Sequence, residues 1–204
     1  MKRGIKKITS KLFSKKGNNL NTEKVNSEFL LIPTHTSKQN IIRDAQKQSG
    51  IKVLVETGTY LGDMIEAQKI FFDKIYSIEL GELLYNNAVE RFKNDKTIKI
   101  FKGDSGEVLP QVLSQIYEPC IFWLDGHYSE GITAKGKKDS PIFEELTAIF
   151  KSKQFPHILL IDDARLFDGT NDYPTITDLK KFIEWHTKDS QFVVENDIII
   201  VRLK

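Results

Sequence analysis

The amino-acid sequence predicts an α/β fold: a doubly wound, mostly parallel seven-stranded sheet that ends in a C-terminal antiparallel hairpin strand. Three observations predict it. Short apolar, β-branched runs alternate five times with segments of helical periodicity, the pattern of strand–helix–strand units. The last two apolar runs have no helix between them, only Glu195-Asn196-Asp197, which reads as a tight hairpin turn. With 204 residues, 40% hydrophobic and 28% charged, the chain is long enough for one such domain with a sizeable core.

Taken in order, residues 37–50 read as a helix with Ser37 or Thr36 as N-cap and Gly50 as stop. IKVLVE (51–56) is a buried strand, followed by a helix over 61–72. KIYSIEL (74–80) is the second strand and LLYNNAVERFK (83–93) the second helix of the alternation. TIKIFKGD (97–104) is the third strand, followed by a short helix in VLPQVLSQI (108–116). CIFWLDG (120–126) is the fourth strand. A long loop then leads to a helix at Ser140-Pro141, where Ser caps, Pro takes the first turn and Glu144 supports the start. HILLIDD (157–163) is the fifth strand and TITDLKKFIEWHTK (175–188) the last helix; QFVVENDIIIVRL (191–203) is the hairpin. Residues 37–204 thus form one domain, and residues 1–36 are a basic arm and linker.

The net charge of +2 is unevenly spread. Residues 1–50 carry eleven Lys/Arg against three Asp/Glu, and the rest of the chain nineteen against twenty-five. An acidic body speaks against a nucleic-acid partner. The arm MKRGIKKITSKLFSKK (1–16) holds Ile5, Ile8, Leu12 and Phe13 at helical spacing among seven basic residues. Two readings of it stand: peripheral attachment to an anionic inner-membrane surface, or a solvated leader. One cysteine, Cys120, and the lack of a signal-peptide pattern place the protein in the cytoplasm, with the inner membrane face as its peripheral site if the arm attaches.

Ligands of an open parallel sheet bind beyond the carboxyl ends of its strands. The five strands end in Glu56-Thr57-Gly58, Glu79, Gly103-Asp104, Asp125-Gly126-His127 and Asp162-Asp163. Each alone reads as a helix cap or solvated strand end. Together they are like charges that repel unless a cation or a hydroxyl-rich ligand occupies the rim. That rim disfavours a pyrophosphate. A nicotinamide-dependent oxidoreductase also needs G-x-G-x-x-G after the first strand, and here only Gly58 and Gly62 occur, with Tyr60 at the middle position. GITAKGKK (131–138) matches a phosphate loop except at its last position and lies too far from its strand. It reads instead as a substrate lid whose Lys135, Lys137 and Lys138 meet an anionic acceptor, with Arg165 and residues 167–174 as the facing wall and Tyr173 as a stacking surface, or as a solvated surface loop.

On the run Glu56-Thr57-Gly58-Thr59-Tyr60-Leu61-Gly62, with Glu79, Asp104 and the terminal hairpin, the chain resembles class I S-adenosylmethionine-dependent methyltransferases over roughly residues 50–204. The resemblance implies a Rossmann-like fold and S-adenosylmethionine as cofactor. Glu56 and the Gly58 backbone would hold its methionine end, within a turn formed by Thr57, Thr59, Tyr60 and Gly62. Glu79 would accept from the ribose hydroxyls, and Asp104 with Ser105 would lie at the adenine. Asp125, Asp162 and Asp163 resemble the metal site of catechol- and macrocin-type O-methyltransferases, which implies Mg²⁺ or another divalent cation and a hydroxyl acceptor on a polar small molecule or sugar. The catechol-type pattern has an amide where this chain has Asp163. Capping and salt-bridged acids are the competing reading of these three. Asp125 and His127 are the candidate catalytic residues; His127 reads as general base, as metal ligand or as a structural group. A nicotinamide oxidoreductase and a non-catalytic binding module of the same fold are the alternative functions.

Overall fold

The computed structural model describes residues 33–126, 138–152 and 155–204. In chain order these form α1 (His35–Ser49), β1 (Val53–Thr57), α2 (Asp63–Gln68), β2 (Lys74–Glu79), α3 (Glu82–Phe92), β3 (Ile98–Lys102) and α4 (Ser105–Leu113). Then follow β4 (Cys120–Leu124), α5 (Ile142–Lys151), β5 (Ile158–Ile161), a 3-10 turn (Ala164–Leu166), α6 (Ile176–His186), β6 (Ser190–Glu195) and β7 (Ile198–Leu203). The strands lie in one sheet in the order β3-β2-β1-β4-β5-β7-β6, parallel from β3 to β5. β7 runs antiparallel to both neighbours. The reversed strand is therefore the second arm of the hairpin, inserted between β5 and β6. The seven-stranded, mostly parallel sheet expected from the alternation is the one found.

Successive residues of a strand point to opposite faces, and each face of this sheet has its own apolar layer. Val53, Val55, Phe122, Leu124, Leu159 and Ile161 pack with Leu109 and Val112 of α4, Leu146 and Ile149 of α5, and Leu179 and Ile183 of α6. Leu54, Ile75, Ile121, Trp123 and Leu160 pack on the other side with Ile42 of α1, Met64 and Ile65 of α2, and Phe92 of α3. This is why β1, β4 and β5 are buried at every position, Glu56 and Thr57 of β1 included: both of their faces are covered. The chain reverses its direction of winding between β1 and β4, and the crevice of such a sheet opens there.

The local signals explain most of the boundaries. Thr34, rather than Ser37 or Thr36, caps α1: its Oγ1 accepts the Ser37 N–H at 3.2 Å, so His35 belongs to the helix and not to the linker. Expected helices 61–72 and 108–116 are found as the shorter α2 and the earlier-starting α4, the latter because Asp104 caps it by accepting the Gly106 N–H. Pro141, not Ser140, stands at the start of α5, without a side-chain cap. In the hairpin Asn196 and Asp197 both have positive φ, 50° and 61°, as a two-residue turn between right-twisted strands requires. His157 and Cys120 are structural: the Cys120 N–H donates to His157 Nδ1 at 3.0 Å, tying the starts of β4 and β5, and burial pushes the Cys120 thiol pKa up. Among the described residues, no helix is long and apolar enough to cross a membrane. The arm of residues 1–16 lies outside the described residues.

Candidate functional site

The turn after β1 is held by contact with the neighbouring strands. Gly58 donates its N–H to the Ile78 carbonyl of β2 at 2.9 Å, and Asp125 donates its own to the Thr57 carbonyl at 3.2 Å. A Cβ on Gly58 would stand 2.3 Å from the Asp125 carbonyl oxygen, and φ there is +83°. Glycine is thus demanded by the approach of the β4 end as well as by the backbone angle. Tyr60, at the position where a middle glycine was missed, has φ 49° and a half-exposed ring. The left-handed conformation is retained, and the tyrosine bears its strain.

Glu79, at the end of β2, fixes that turn. Its Oε2 accepts the Tyr60 N–H at 2.8 Å, and its Oε1 accepts the Gly81 N–H at 2.7 Å. A carboxylate has about four acceptor sites, so two remain after both loops are tied. Glu56 lies one residue inside β1 rather than on the rim. It is 1% exposed, and its Oε2 accepts from Ser77 Oγ at 2.5 Å. Ser77 Oγ in turn bonds Thr59 Oγ1 at 2.6 Å, so a buried hydroxyl chain runs from the turn to the acid. Burial pushes the Glu56 pKa up to about 8, despite the Ser77 hydrogen bond that opposes the shift. At neutral pH this acid is largely uncharged.

Across the switch point, Asp104 caps α4, and Ser105 Oγ donates to Glu145 Oε1 at 2.6 Å. Glu145, buried in the first turn of α5, is a site residue that the sequence did not reveal. Gly126 sits above this pair: a Cβ there would stand 2.9 Å from Ser105 Oγ, 3.0 Å from Glu145 Oε1 and 3.1 Å from Thr57 Oγ1. A shallow cleft with room for little more than a water molecule lies between Gly126, Glu145, Asp162, Ser140 and Tyr173. Tyr173 is not an open stacking surface. Its ring is buried edge-on against Phe167, 5.3 Å between centroids, and burial with nearby acids raises its pKa.

The structure brings Asp125, Asp162 and Asp163 together, with one carboxylate oxygen of each within 4.8 Å of the others. Asp163 adopts φ 54° and donates its N–H to Asp162 Oδ1 at 2.8 Å, a sharp turn that swings the second acid back beside the first. Among the described residues, two cations meet these acids. Arg165 Nη1 donates to Asp163 Oδ1 at 2.8 Å and also pairs with buried Asp197 of the hairpin turn. Lys38, from the first turn of α1, places its Nζ 2.5 Å from Asp162 Oδ2 and 3.2 Å from Asp163 Oδ1. Desolvation and the neighbouring Asp163 push the Asp162 pKa up against the pull of Lys38. The acids hold the Lys38 pKa raised, although burial opposes it. Neither Lys38 nor Asp197 was a candidate from the sequence. Arg165, expected on an open wall, is committed to these two ion pairs.

His127, Lys135 and Lys137 lie outside the described residues. Lys138 pairs with Glu144 at the start of α5.

Comparison with known families finds no family model that matches the chain, and no curated protein matches it. Solved structures do match. An O-methyltransferase from Bacillus cereus in complex with SAH is similar at TM-score 0.59 and 15% identity, over 85% of this chain and 83% of that one. The O-methyltransferase TomG from Streptomyces achromogenes, involved in tomaymycin synthesis and solved with SAM, is similar at 0.58 and 15%, over 84% and 81%. The SAH-bound methyltransferase PaMTH1 from Podospora anserina is similar at 0.59 and 15%, over 84% and 80%. Sheet order, reversed β7 and these likenesses agree that the chain has the Rossmann-like fold of class I S-adenosylmethionine-dependent methyltransferases.

Proposed function

We propose that the protein is an S-adenosylmethionine-dependent O-methyltransferase acting, with help from a divalent cation, on a hydroxyl of a polar small molecule or sugar. The observation that carries this reading is the pairing of two sites across the switch point: Glu79 pinned beneath the Tyr60 turn, and three acids gathered after β4 and β5.

The residues fit both groups. Glu79 keeps two acceptor sites beyond its backbone partners, the requirement for a ribose diol. Tyr60 and the acidic rim leave no glycine-bared cradle for a pyrophosphate, which weighs against the nicotinamide alternative. The three carboxylates are hard oxygen donors suited to Mg²⁺ or a similar ion, and they already attract a cation, the Lys38 ammonium. When bound, the cofactor supplies an electrophilic methyl group, and the metal lowers the pKa of a coordinated hydroxyl.

The chain's own residues do the rest. Glu79 orients the ribose and, through Tyr60, the turn that adjoins the methionine end. Glu56 lies beneath as a largely neutral acid that can ionise when a positive charge arrives. Asp125, Asp162 and Asp163 collect cationic charge next to the cleft, and Arg165 with Asp197 braces the turn that carries Asp163. Glu145, Ser140 and Tyr173 set polar groups around the shallow cleft beside the acids, where an acceptor hydroxyl would approach. His127, two residues beyond Asp125, is the proposed base for the hydroxyl proton. Cytoplasmic location, with residues 1–16 holding the protein to the inner membrane face, completes the proposal.

Isothermal titration with S-adenosylhomocysteine, wild type against Glu79→Ala, tests the cofactor assignment. Micromolar binding that weakens at least about tenfold in the variant supports it, since hydrogen bonds to a charged group contribute about 1.5–3 kcal/mol. Equal binding by both chains contradicts it.

A further inference from the structure

We propose that Lys38 is a tethered competitor of the metal: its ammonium and a divalent cation exclude one another at Asp162 and Asp163, so metal binding detaches the first turn of α1 from the site. The inference rests on the metal-assisted reading of the three acids given above.

The geometry of Asp162 sets up the competition. Its side chain is inaccessible to solvent, and its Oδ1 accepts the Asp163 N–H at 2.8 Å. Oδ2 is the oxygen left for a cation, and the Lys38 ammonium stands 2.5 Å from it. A Mg²⁺ or Ca²⁺ ion bonded to that oxygen would lie roughly 2.0–2.6 Å away from it. The ammonium and the ion would then compete for one oxygen in a partly buried site, where two positive charges so close repel strongly.

Of the two cations at the cluster among the described residues, Lys38 is the one that can leave. Arg165 is held from both sides: its guanidinium pairs with Asp163 and Asp197, and its N–H donates to Asp197 Oδ1 at 2.7 Å. Lys38 has Asp162 and Asp163 as its only ammonium partners among the described residues. It reaches them on a flexible four-carbon stem from the first turn of α1, where the Lys38 N–H is already bonded to the Thr34 carbonyl at 3.1 Å. Swinging the ammonium to solvent therefore leaves the helix cap intact.

The arrangement has two consequences. Without metal, Lys38 neutralises acids that would otherwise repel one another inside the protein. With metal, that neutralisation is transferred to the ion, and α1 loses a link to a site 124 residues away in the chain. The metal affinity of the native chain is then a net quantity, lowered by its own lysine.

The test is Mn²⁺ binding to the full-length protein, read from the electron paramagnetic resonance of the free ion, with no acceptor or turnover required. Lys38→Met is expected to bind at least about tenfold more tightly than wild type, because one positive charge next to the ion is gone. Lys38→Arg, which keeps the charge, is expected to stay close to wild type, and Asp125→Asn to bind more weakly than wild type. Lys38→Gln substitutes for Lys38→Met if the apolar variant does not fold. Equal or weaker binding by the neutral variants, with Asp125→Asn still impaired, overturns the competition and leaves the metal site standing. Absence of Mn²⁺ binding in wild type and neutral variants alike at millimolar ion overturns the metal reading and the competition together.

Discussion

Tyr60 donates its backbone N–H to the side chain of Glu79 at 2.8 Å, so the turn after β1 and the end of β2 are a single hydrogen-bonded unit. The link explains how a tyrosine is tolerated at φ 49°, where glycine is the usual occupant. The carboxylate repays part of the strain of the left-handed residue, and the turn in turn orients the carboxylate. A loop that by sequence alone looks like an imperfect dinucleotide turn is a turn organised around an acid.

Tyr60→Ala and Tyr60→Gly should therefore differ. Alanine keeps the left-handed penalty and loses the ring, whereas glycine removes the penalty. Glycine is expected to be the more stable variant by about 1 kcal/mol, read from urea unfolding. Equal stabilities would mean that Tyr60 is not strained.

Glu79→Ala is expected to lower stability as well as cofactor affinity. Two backbone N–H donors lose a charged acceptor, in loops that are partly buried. A loss of about 2–3 kcal/mol in urea unfolding is expected. An unchanged unfolding midpoint would show that the turn holds itself without the acid.

Glu56 gives the protein a pH dependence of definite sign. Its folded pKa, about 8, lies above the ordinary value of 4.5, so the folded chain keeps a proton that the unfolded chain releases. Its contribution is intact below pH 4.5 and is lost as pH rises through 8. Glu56→Gln removes that loss. The stability of the variant relative to wild type should increase from pH 5 to pH 9 by up to a few kcal/mol. Parallel pH curves for the two chains would contradict a buried, proton-holding Glu56.

The arm gives a prediction of another kind. If residues 1–16 attach the protein to anionic lipid, deletion of residues 1–18 abolishes co-sedimentation with phosphatidylserine vesicles, and added salt weakens it in the full chain. Equal sedimentation of both chains would leave the arm as a solvated leader.

The fold was legible because its signals are local. Apolar runs such as CIFWL need both faces covered, Gly50 stops a helix, and Asn196-Asp197 between β-branched runs specifies a hairpin. The rim was legible to the extent that strand ends are, which gave Asp125, Asp162 and Asp163 their shared position. What escaped were the residues brought in by tertiary structure. Lys38 reads as one more helix lysine until α1 packs against the sheet and carries it to Asp162. Glu145 reads as a helix-start acid until Ser105 meets it across 40 residues of chain. Asp197 reads as a turn former, and also braces Arg165. Glu56 falls one position short of the rim: the strand runs through Thr57, which places the acid in the sheet, opposite Ser77.

The most direct test of the central claim is a comparison of cofactors on the wild-type protein by thermal unfolding, confirmed by titration calorimetry. S-adenosylmethionine and S-adenosylhomocysteine are expected to raise the melting temperature and bind with micromolar affinity, while NAD and NADP leave it unchanged. Stabilisation by a nicotinamide dinucleotide, with no response to S-adenosylhomocysteine, would contradict the account.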